Sequence, residues 1–82
     1  MSNMRQKTLK TIFDMKIGEK GVIKELKQLP QVRHRLFDLG IAPQVKVVLL
    51  KKLNFEHLFI IEVDDVEICI RRNDAQLITV EG

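Results

Sequence analysis

The sequence predicts a mainly β domain, in which a small antiparallel sheet of about five short strands bends into a barrel beside one short α-helix. Three observations support this fold class. Runs of apolar and β-branched residues alternate with turn-forming residues along most of the chain. One segment alone, residues 30–39, spaces its apolar side chains at the period of a helix. The length of 82 residues suits a single domain with one core.

The first elements are an apolar lead-in, a turn and a strand. Residues 1–7 are polar and are expected to form a flexible N-terminus, which leaves residues 8–82 as the single domain. The lead-in is TLKTIFDM, residues 8–15. KIGEKG, residues 16–21, predicts a turn because glycine adopts positive φ without steric cost. GVIKEL, residues 21–26, has the β-branched composition of a strand.

The helix is predicted over residues 30–39, where a proline suits the first turn. Val32, Leu36 and Leu39 fall on one face, at i, i+4 and i+7. Gly40 is expected to end the helix in a left-handed conformation. A helix this short is marginal alone, so we expect it to plug an open end or corner of the barrel.

The rest of the chain predicts further strands. QVKVVLLKK, residues 44–52, is the longest, and HLFIIEV, residues 57–63, is apolar on both faces. That second run is either a core strand or an edge that pairs with another copy. Asp64 and Asp65 predict a tight turn.

The last part of the chain predicts a strand, a helical turn and a strand. In VEICIRR, residues 66–72, one face carries Val66, Ile68 and Ile70 and the other carries Glu67, Cys69 and Arg71. NDAQ predicts a helical turn with Asn73 as its N-cap, and LITV, residues 77–80, predicts the last strand.

Charge and cysteine content narrow the class of protein. The net charge of +3 comes from 14 basic and 11 acidic residues that scatter rather than collect on one face. This pattern favours solubility over a dedicated nucleic-acid module, and leaves an acidic partner or an anionic membrane surface as alternatives. The single cysteine excludes a disulfide within the chain and fits a reducing cytosol. No apolar run approaches the ~20 residues that span a bilayer, and no secretory signal is present, so we expect a cytoplasmic protein.

Three ordered motifs resemble those of ferrous iron transport protein A (FeoA), a family of SH3-like β-barrels. They are LKTIFDMKIGEKGVIKEL, then RLFDLGIAP with VKVV, then VEICIRRNDAQLITVE. The central motif of the family, Arg-Leu-x-x-Leu-Gly-hydrophobic-x-Pro, matches residues 35–43, and hydrophobic-Arg-Arg followed by Ala and Ile matches residues 70–78. The chain departs from the family at Gln44, where glycine is usual, and at KKLNFEH, residues 51–57, where a glycine-bearing loop is usual.

The resemblance implies a cytosolic accessory protein of ferrous iron uptake that is not an enzyme. Such a protein assists FeoB, a membrane permease with a cytosolic GTP-binding domain, by protein–protein contact, and would reach the membrane only through that partner. Similar barrels form the C-terminal domain of iron- and manganese-dependent repressors, but few residues precede this barrel, which favours the free-standing form. The alternatives are a regulatory barrel that binds a divalent metal or a small effector, and a basic nucleic-acid-binding module.

A partner surface is expected to be an apolar patch with a basic rim. The apolar candidates are Leu29 and Phe37, on or near the helix, and Leu53 and Phe55 in the loop that follows the longest strand. Two apolar residues in a polar loop are more typical of core anchors than of binding residues, and that alternative stays open. Candidates for the rim are Lys51, Lys52 and Arg71.

Arg71 has a second interpretation, as an arginine supplied in trans to a GTP-binding partner. Against this stand two structural interpretations. Arg72 could form a surface pair with Asp74, or Arg71 could lay its aliphatic stem over apolar surface.

Metal and catalytic chemistry receive little support from the spacing of donors. Cys69 and Glu67 share a strand face and His57 is the remaining weak candidate, whereas a zinc site needs about four ligands. The alternative is that Cys69 is a small, half-buried hydrophobic residue. No nucleophile pair or glycine-rich phosphate loop is present, so we expect neither a cofactor nor enzyme activity.

Overall fold

Six strands form one antiparallel sheet in the order β1-β6-β2-β3-β4-β5. The computed structural model describes residues 8–82, so the predicted flexible segment 1–7 lies outside the described residues. The strands are β1 (Leu9–Thr11), β2 (Lys20–Leu26), β3 (Lys46–Leu53), β4 (Leu58–Val63), β5 (Val66–Arg71) and β6 (Ile78–Glu81). The other elements of the described residues are a 3-10 helix (Ile12–Asp14) and two α-helices, α1 (Pro30–Asp38) and α2 (Arg72–Leu77). The predicted mainly β, SH3-like fold is confirmed.

The strand that the sequence did not predict is β1. It has three residues, too few to display alternation, and it exists because Leu9 and Thr11 pair with Glu81 and Thr79 of β6 at the other end of the chain. The predicted lead-in is thus partly a strand. The run LFII is β4, which lies between β3 and β5, so its interpretation as a sheet edge is wrong.

The inner face of the sheet carries the core. Val47 and Leu49 of β3 and Phe59 and Ile61 of β4 are fully buried, as the alternation predicts. Residues from the other strands, the helices and the turns complete the core. The core consists of Ile12, Met15, Ile23, Leu26, Leu36, Ile41, Val47, Leu49, Phe59, Ile61, Val63, Ile68, Ile70, Ala75, Ile78 and Val80.

Both α-helices pack side chains into the core, whereas the sequence predicted this role for α1 alone. Helix α1 reaches the core through Leu36, with Val32 packed partly against it, whereas Leu39 lies beyond the helix end and is 54% exposed. Helix α2 lies beside the 3-10 helix and four of the strands and buries Ala75 completely. The predicted N-cap at Asn73 is wrong, because β5 runs straight into α2 and the extended Arg71 occupies the N-cap position.

The motif RLFDLGIAP ends α1 with a Schellman turn. Gly40 has φ +92°, and its N–H donates to the Phe37 carbonyl at 2.9 Å. The N–H of Ile41 donates to the Leu36 carbonyl at 2.9 Å, and both side chains are buried together in the core. The motif is therefore explained by the geometry of a helix end. Asp64 and Asp65 form the predicted tight turn, with φ values of +57° and +65°.

A β-bulge in β3 decides which side chains reach the outer face of the sheet. Leu49 pairs with Ile61, but the next paired residue is Lys51, opposite Ile60, so one extra residue is inserted at Leu50. The faces of the strand alternate in a shifted register after this point. Among residues 8–82, no helix has the length and apolar character needed to cross a membrane.

Candidate partner-binding site

The register of β3, β4 and β5 places three of the predicted binding residues on one surface. Leu53 pairs with Leu58, which pairs with Arg71, and directly opposite residues of antiparallel strands point to the same face. The neighbouring row on the same face consists of Lys51, which pairs with Ile60, and Cys69, which pairs with Ile60 from the other side. We call this surface the outer patch, and it consists of Lys51, Leu53, Leu58, Ile60, Cys69 and Arg71.

The outer patch is apolar at its centre and cationic at both sides. Leu53 is 42% exposed, and Leu58 and Ile60 are half-buried. Lys51 and Arg71 are exposed on the flanking strands, and the ion pairs of residues 8–82 include neither of them. This arrangement can cover an apolar side chain of a partner and attract carboxylates around it.

Lys51 and Lys52 both follow the bulge and point to opposite faces of β3, and the shifted register places Lys51 on the outer face. Lys52 pairs with the buried Phe59, and its Nζ lies 5.7 Å from the centroid of the Phe59 ring. Phe59 in turn packs at a tilt against Phe13, with ring centroids 5.7 Å apart. Lys52 thus extends along the end of the core, while Lys51 belongs to the outer patch.

Phe55 projects from the turn between β3 and β4 and is 93% exposed, so its interpretation as a core anchor is wrong. Asn54, Phe55 and Glu56 all have left-handed backbones, with φ of +55°, +55° and +65°. The His57 N–H closes the turn on the carbonyls of Leu53 and Asn54, at 3.2 and 3.1 Å. A bulky residue with positive φ is strained by roughly 1–2 kcal/mol, and such strain concentrates at functional sites.

Leu29 and Phe37 lie elsewhere, on α1. Leu29 is the N-cap residue and is 74% exposed. Phe37 is 40% exposed and stacks on His34, with ring centroids 6.1 Å apart. Since Phe37 follows the buried Leu36, it projects about 100° around the helix from the side chain that reaches the core. The strands of the outer patch contribute neither of these two residues.

A groove of 560 Å³ separates α1 from β5 and the start of α2. One wall is apolar and includes Val32 of α1 and Leu39 just beyond the helix end, and the other wall includes Cys69 and Arg71. Arg71 therefore belongs to the outer patch and also lines the groove. Helix α1 and β5 form a second accessible surface, whose chemistry is apolar with arginine at the margin.

Gln28 connects α1 to α2 and was missed from the sequence, where QLP reads as an ordinary loop. It is only 4% exposed, and its Nε2 donates to the carbonyl and to Oδ1 of Asp74, both at 3.3 Å. The backbone carbonyl of Gln28 accepts a hydrogen bond from Nη1 of Arg33 at 2.8 Å. The predicted surface pair between Arg72 and Asp74 is wrong, because Asp74 is engaged by Gln28 and the ion pairs of the described residues do not include it.

The weak metal candidates are distributed along β5 and the neighbouring turn. Glu67 lies directly opposite Glu62, and Cys69 lies opposite Ile60. Cys69 is exposed, which contradicts its interpretation as a half-buried hydrophobic residue. His57 borders a different depression, together with Arg71. Residues 8–82 contain no group of three or more histidine, cysteine, aspartate or glutamate side chains placed to hold a metal ion.

Solved structures share this fold at low sequence identity. A FeoA protein from Chlorobium tepidum is 27% identical over 87% of this chain and 68% of its own, with a TM-score of 0.82. An iron uptake regulatory protein (FeoA) is 22% identical over 90% of this chain and 96% of its own, with a TM-score of 0.79. A manganese-dependent transcriptional repressor superposes with a TM-score of 0.84 at 16% identity, and this chain spans 44% of it. No curated protein matches the chain significantly.

The sequence itself carries the family pattern along almost all of the domain. The model of the FeoA domain matches residues 10–82, from β1 through the end of β6. The matched range includes the strands of the outer patch and both helices beside the groove. The chain belongs to the FeoA family.

Proposed function

We propose that this protein is an accessory protein of ferrous iron uptake that binds the cytosolic part of a FeoB-type permease through its outer patch. The observation that carries the proposal is the match to the FeoA domain over residues 10–82, which supports a role in ferrous iron transport. An accessory or regulatory role by contact is in keeping with this family. The proposed place of action is the inner face of the cytoplasmic membrane.

The chemistry of the outer patch suits protein–protein contact. Interface centres are apolar and desolvated, and charged residues at the rim steer association. Leu53 and Leu58 supply such a centre, and Lys51 and Arg71 supply a cationic rim. Phe55, at the tip of the adjoining turn, adds an exposed aromatic side chain of the kind that anchors interfaces. The complementary surface on the permease would be apolar with carboxylates around it.

The experiment is a pull-down of a FeoB-type permease, both whole in detergent and as its isolated GTP-binding domain, at low and moderate salt. We expect retention by the natural sequence and loss of retention with Leu53→Ser and with Phe55→Ser. Ile17→Ser is the matched control, because Ile17 is 62% exposed and lies outside the outer patch. Thermal melting of each variant verifies its fold.

The outcome that contradicts the proposal is equally clear. If neither form of the permease is retained at any salt concentration, binding to this partner is wrong. If all three variants lose retention equally while they remain folded, the partner is correct but the outer patch is not its binding surface.

A further inference from the structure

Among residues 8–82, strand β5 lies at an edge of the sheet, and β4 is its one neighbour there. The Arg72 N–H donates to the His57 carbonyl at 2.9 Å, while Arg71 pairs with Leu58. In an antiparallel ladder this bond flanks a pair whose own backbone groups do not bond to each other. The N–H and C=O of Arg71 therefore point away from β4.

The backbone groups of Glu67 and Cys69 point in the same direction as those of Arg71, because the direction alternates along β5. The backbone groups of Ile68 and Ile70 point to β4, and those of Glu67, Cys69 and Arg71 point to the open edge. None of the backbone hydrogen bonds of residues 8–82 outside the strand pairs involves these three residues. Such an edge is a template for another strand.

The sequence of β5 is complementary to itself when two copies run antiparallel. Glu67 and Arg71 lie two residues before and two residues after Cys69. We propose that two copies of this chain associate through β5, about a twofold axis that passes beside Cys69. In this register Cys69 faces Cys69 of the second copy, and Glu67 faces Arg71 of the second copy on both sides of the axis. Three hydrogen-bonded pairs would supply about six backbone hydrogen bonds.

The charges of the outer face favour this occupant over an unrelated strand. Within one chain Glu67 lies opposite Glu62, and directly opposed like charges destabilise a sheet. The ion pairs of the described residues include neither of these glutamates, nor Arg71. Pairing through β5 places Arg71 of the second copy next to Glu67, so that it offsets the two carboxylates. A second copy thus provides the cation that the row Glu62–Glu67 lacks.

The space beside β5 accommodates the added strand. The groove of 560 Å³ borders Cys69, Ile70 and Arg71. The strand of the second copy would enter it with its Val66, which is 56% exposed in a single chain. Val32 of α1 and Leu39, which follows the helix end and is 54% exposed, line the groove that receives it. The association covers exposed apolar surface as well as backbone groups.

The first test is sedimentation equilibrium with cross-linking by a short bis-maleimide. Cys69 is the single cysteine of the chain, so every covalent dimer must join Cys69 to Cys69. We expect a concentration-dependent dimer and a cross-linked product that greatly exceeds that of Cys69→Ser/Gln31→Cys, whose thiol lies on the exposed part of α1. A monomer at every concentration, or equal cross-linking in both proteins, would overturn the proposal.

The second test exploits the reciprocity of the charges. Glu67→Arg and Arg71→Glu each place like charges opposite one another and are expected to weaken dimerisation at least several-fold. The double variant Glu67→Arg/Arg71→Glu restores opposite charges in both rows and is expected to recover the dimer. A dimer that is indifferent to all three variants would exclude this register. The tests need no permease, so their outcome is separate from that of the proposed function.

Discussion

Glu62 and Glu67 lie directly opposite each other on β4 and β5, on the outer face of the sheet. Like charges on directly opposite residues of neighbouring strands destabilise a sheet by roughly 0.2–1 kcal/mol. We therefore expect Glu67→Gln to raise the free energy of unfolding of the monomer by that amount at neutral pH. Urea unfolding at dilute protein concentration measures it. Glu56→Gln in the exposed turn should show no gain.

Replacement of Gly40 isolates the cost of the left-handed helix end. An added Cβ would meet Val63 Cγ1 at an ordinary 3.7 Å, so space is not limiting, but φ is +92°. Gly40→Ala is expected to lower the free energy of unfolding by about 1–2 kcal/mol. Gly40→Asn should lose less, because asparagine tolerates positive φ. Equal losses for both variants would contradict a conformational origin.

Substitution of Phe55 is expected to change both the stability of the fold and the proposed binding to the permease. Phe55→Gly removes a bulky residue from a positive-φ position and is expected to raise the free energy of unfolding by about 1 kcal/mol, while weakening retention of the permease. Glu56→Gly is the matched control, because it relieves a similar φ of +65° at the next residue and leaves the aromatic side chain in place. It should be stabilised and still bind. Loss of binding in both variants would instead implicate the shape of the turn.

Glu19 is expected to account for part of the decrease in the free energy of unfolding at acid pH. A hydrogen bond from Lys10, at 2.7 Å, and the Lys16 N–H, at 2.8 Å, lower the pKa of Glu19 below its ordinary value of 4.5. The folded state thus binds this proton more weakly than the unfolded chain does. The stabilisation is present above pH 4.5 and is lost as the pH falls through the lower folded pKa.

Glu19→Gln should flatten this part of the dependence of unfolding free energy on pH, as measured by urea titrations. The effect is at most about 1 kcal/mol, because both side chains of the pair are partly exposed to solvent. An unchanged acid limb in Glu19→Gln would show that this ion pair contributes nothing measurable.

Substitution of Arg71 distinguishes two roles of this residue, attraction of the permease at the rim of the outer patch and direct stimulation of GTP hydrolysis. As a rim residue of the outer patch, Arg71→Ala should weaken binding to the permease several-fold, mainly at low salt, and leave the hydrolysis rate of the bound complex unchanged. An arginine supplied in trans would behave in the opposite way, with binding retained and stimulation of GTP hydrolysis abolished. Affinity and single-turnover hydrolysis, measured on the same samples at saturation, separate the two roles.

The sequence predicted the elements whose signals are local. Strands β3 and β5 alternate because one face contributes Val47, Leu49, Ile68 and Ile70 to the core, and α1 ends at a glycine that its geometry requires. The three-residue β1 escaped prediction because β6, the strand with which it pairs, lies at the other end of the chain. Its existence depends on pairing between distant segments, which no local pattern encodes.

The candidate site was predicted only in fragments. Lys51, Leu53 and Arg71 were identified one by one, but Leu58 and Ile60 between them were missed, since LFII reads as a core strand on both faces. What unites the outer patch is strand register, including a bulge at Leu50 that places Lys51, and not Lys52, on the outer face. Likewise, Cys69 is exposed because it lies on the outer face of β5, opposite to the buried Ile68 and Ile70, and because sheet order places β5 at an edge.

The pairing of β1 with β6 has a practical consequence for re-engineering the chain. Leu9 lies opposite Glu81, and the Gly82 N–H reaches the Thr8 carbonyl at 3.4 Å. A linker of a few residues could therefore join residue 82 to residue 8, with a new start and end opened at the turn around Phe55. Such a circular permutant would keep every strand pair of the sheet and would release the strained turn, so that the aromatic side chain is presented from a free chain end.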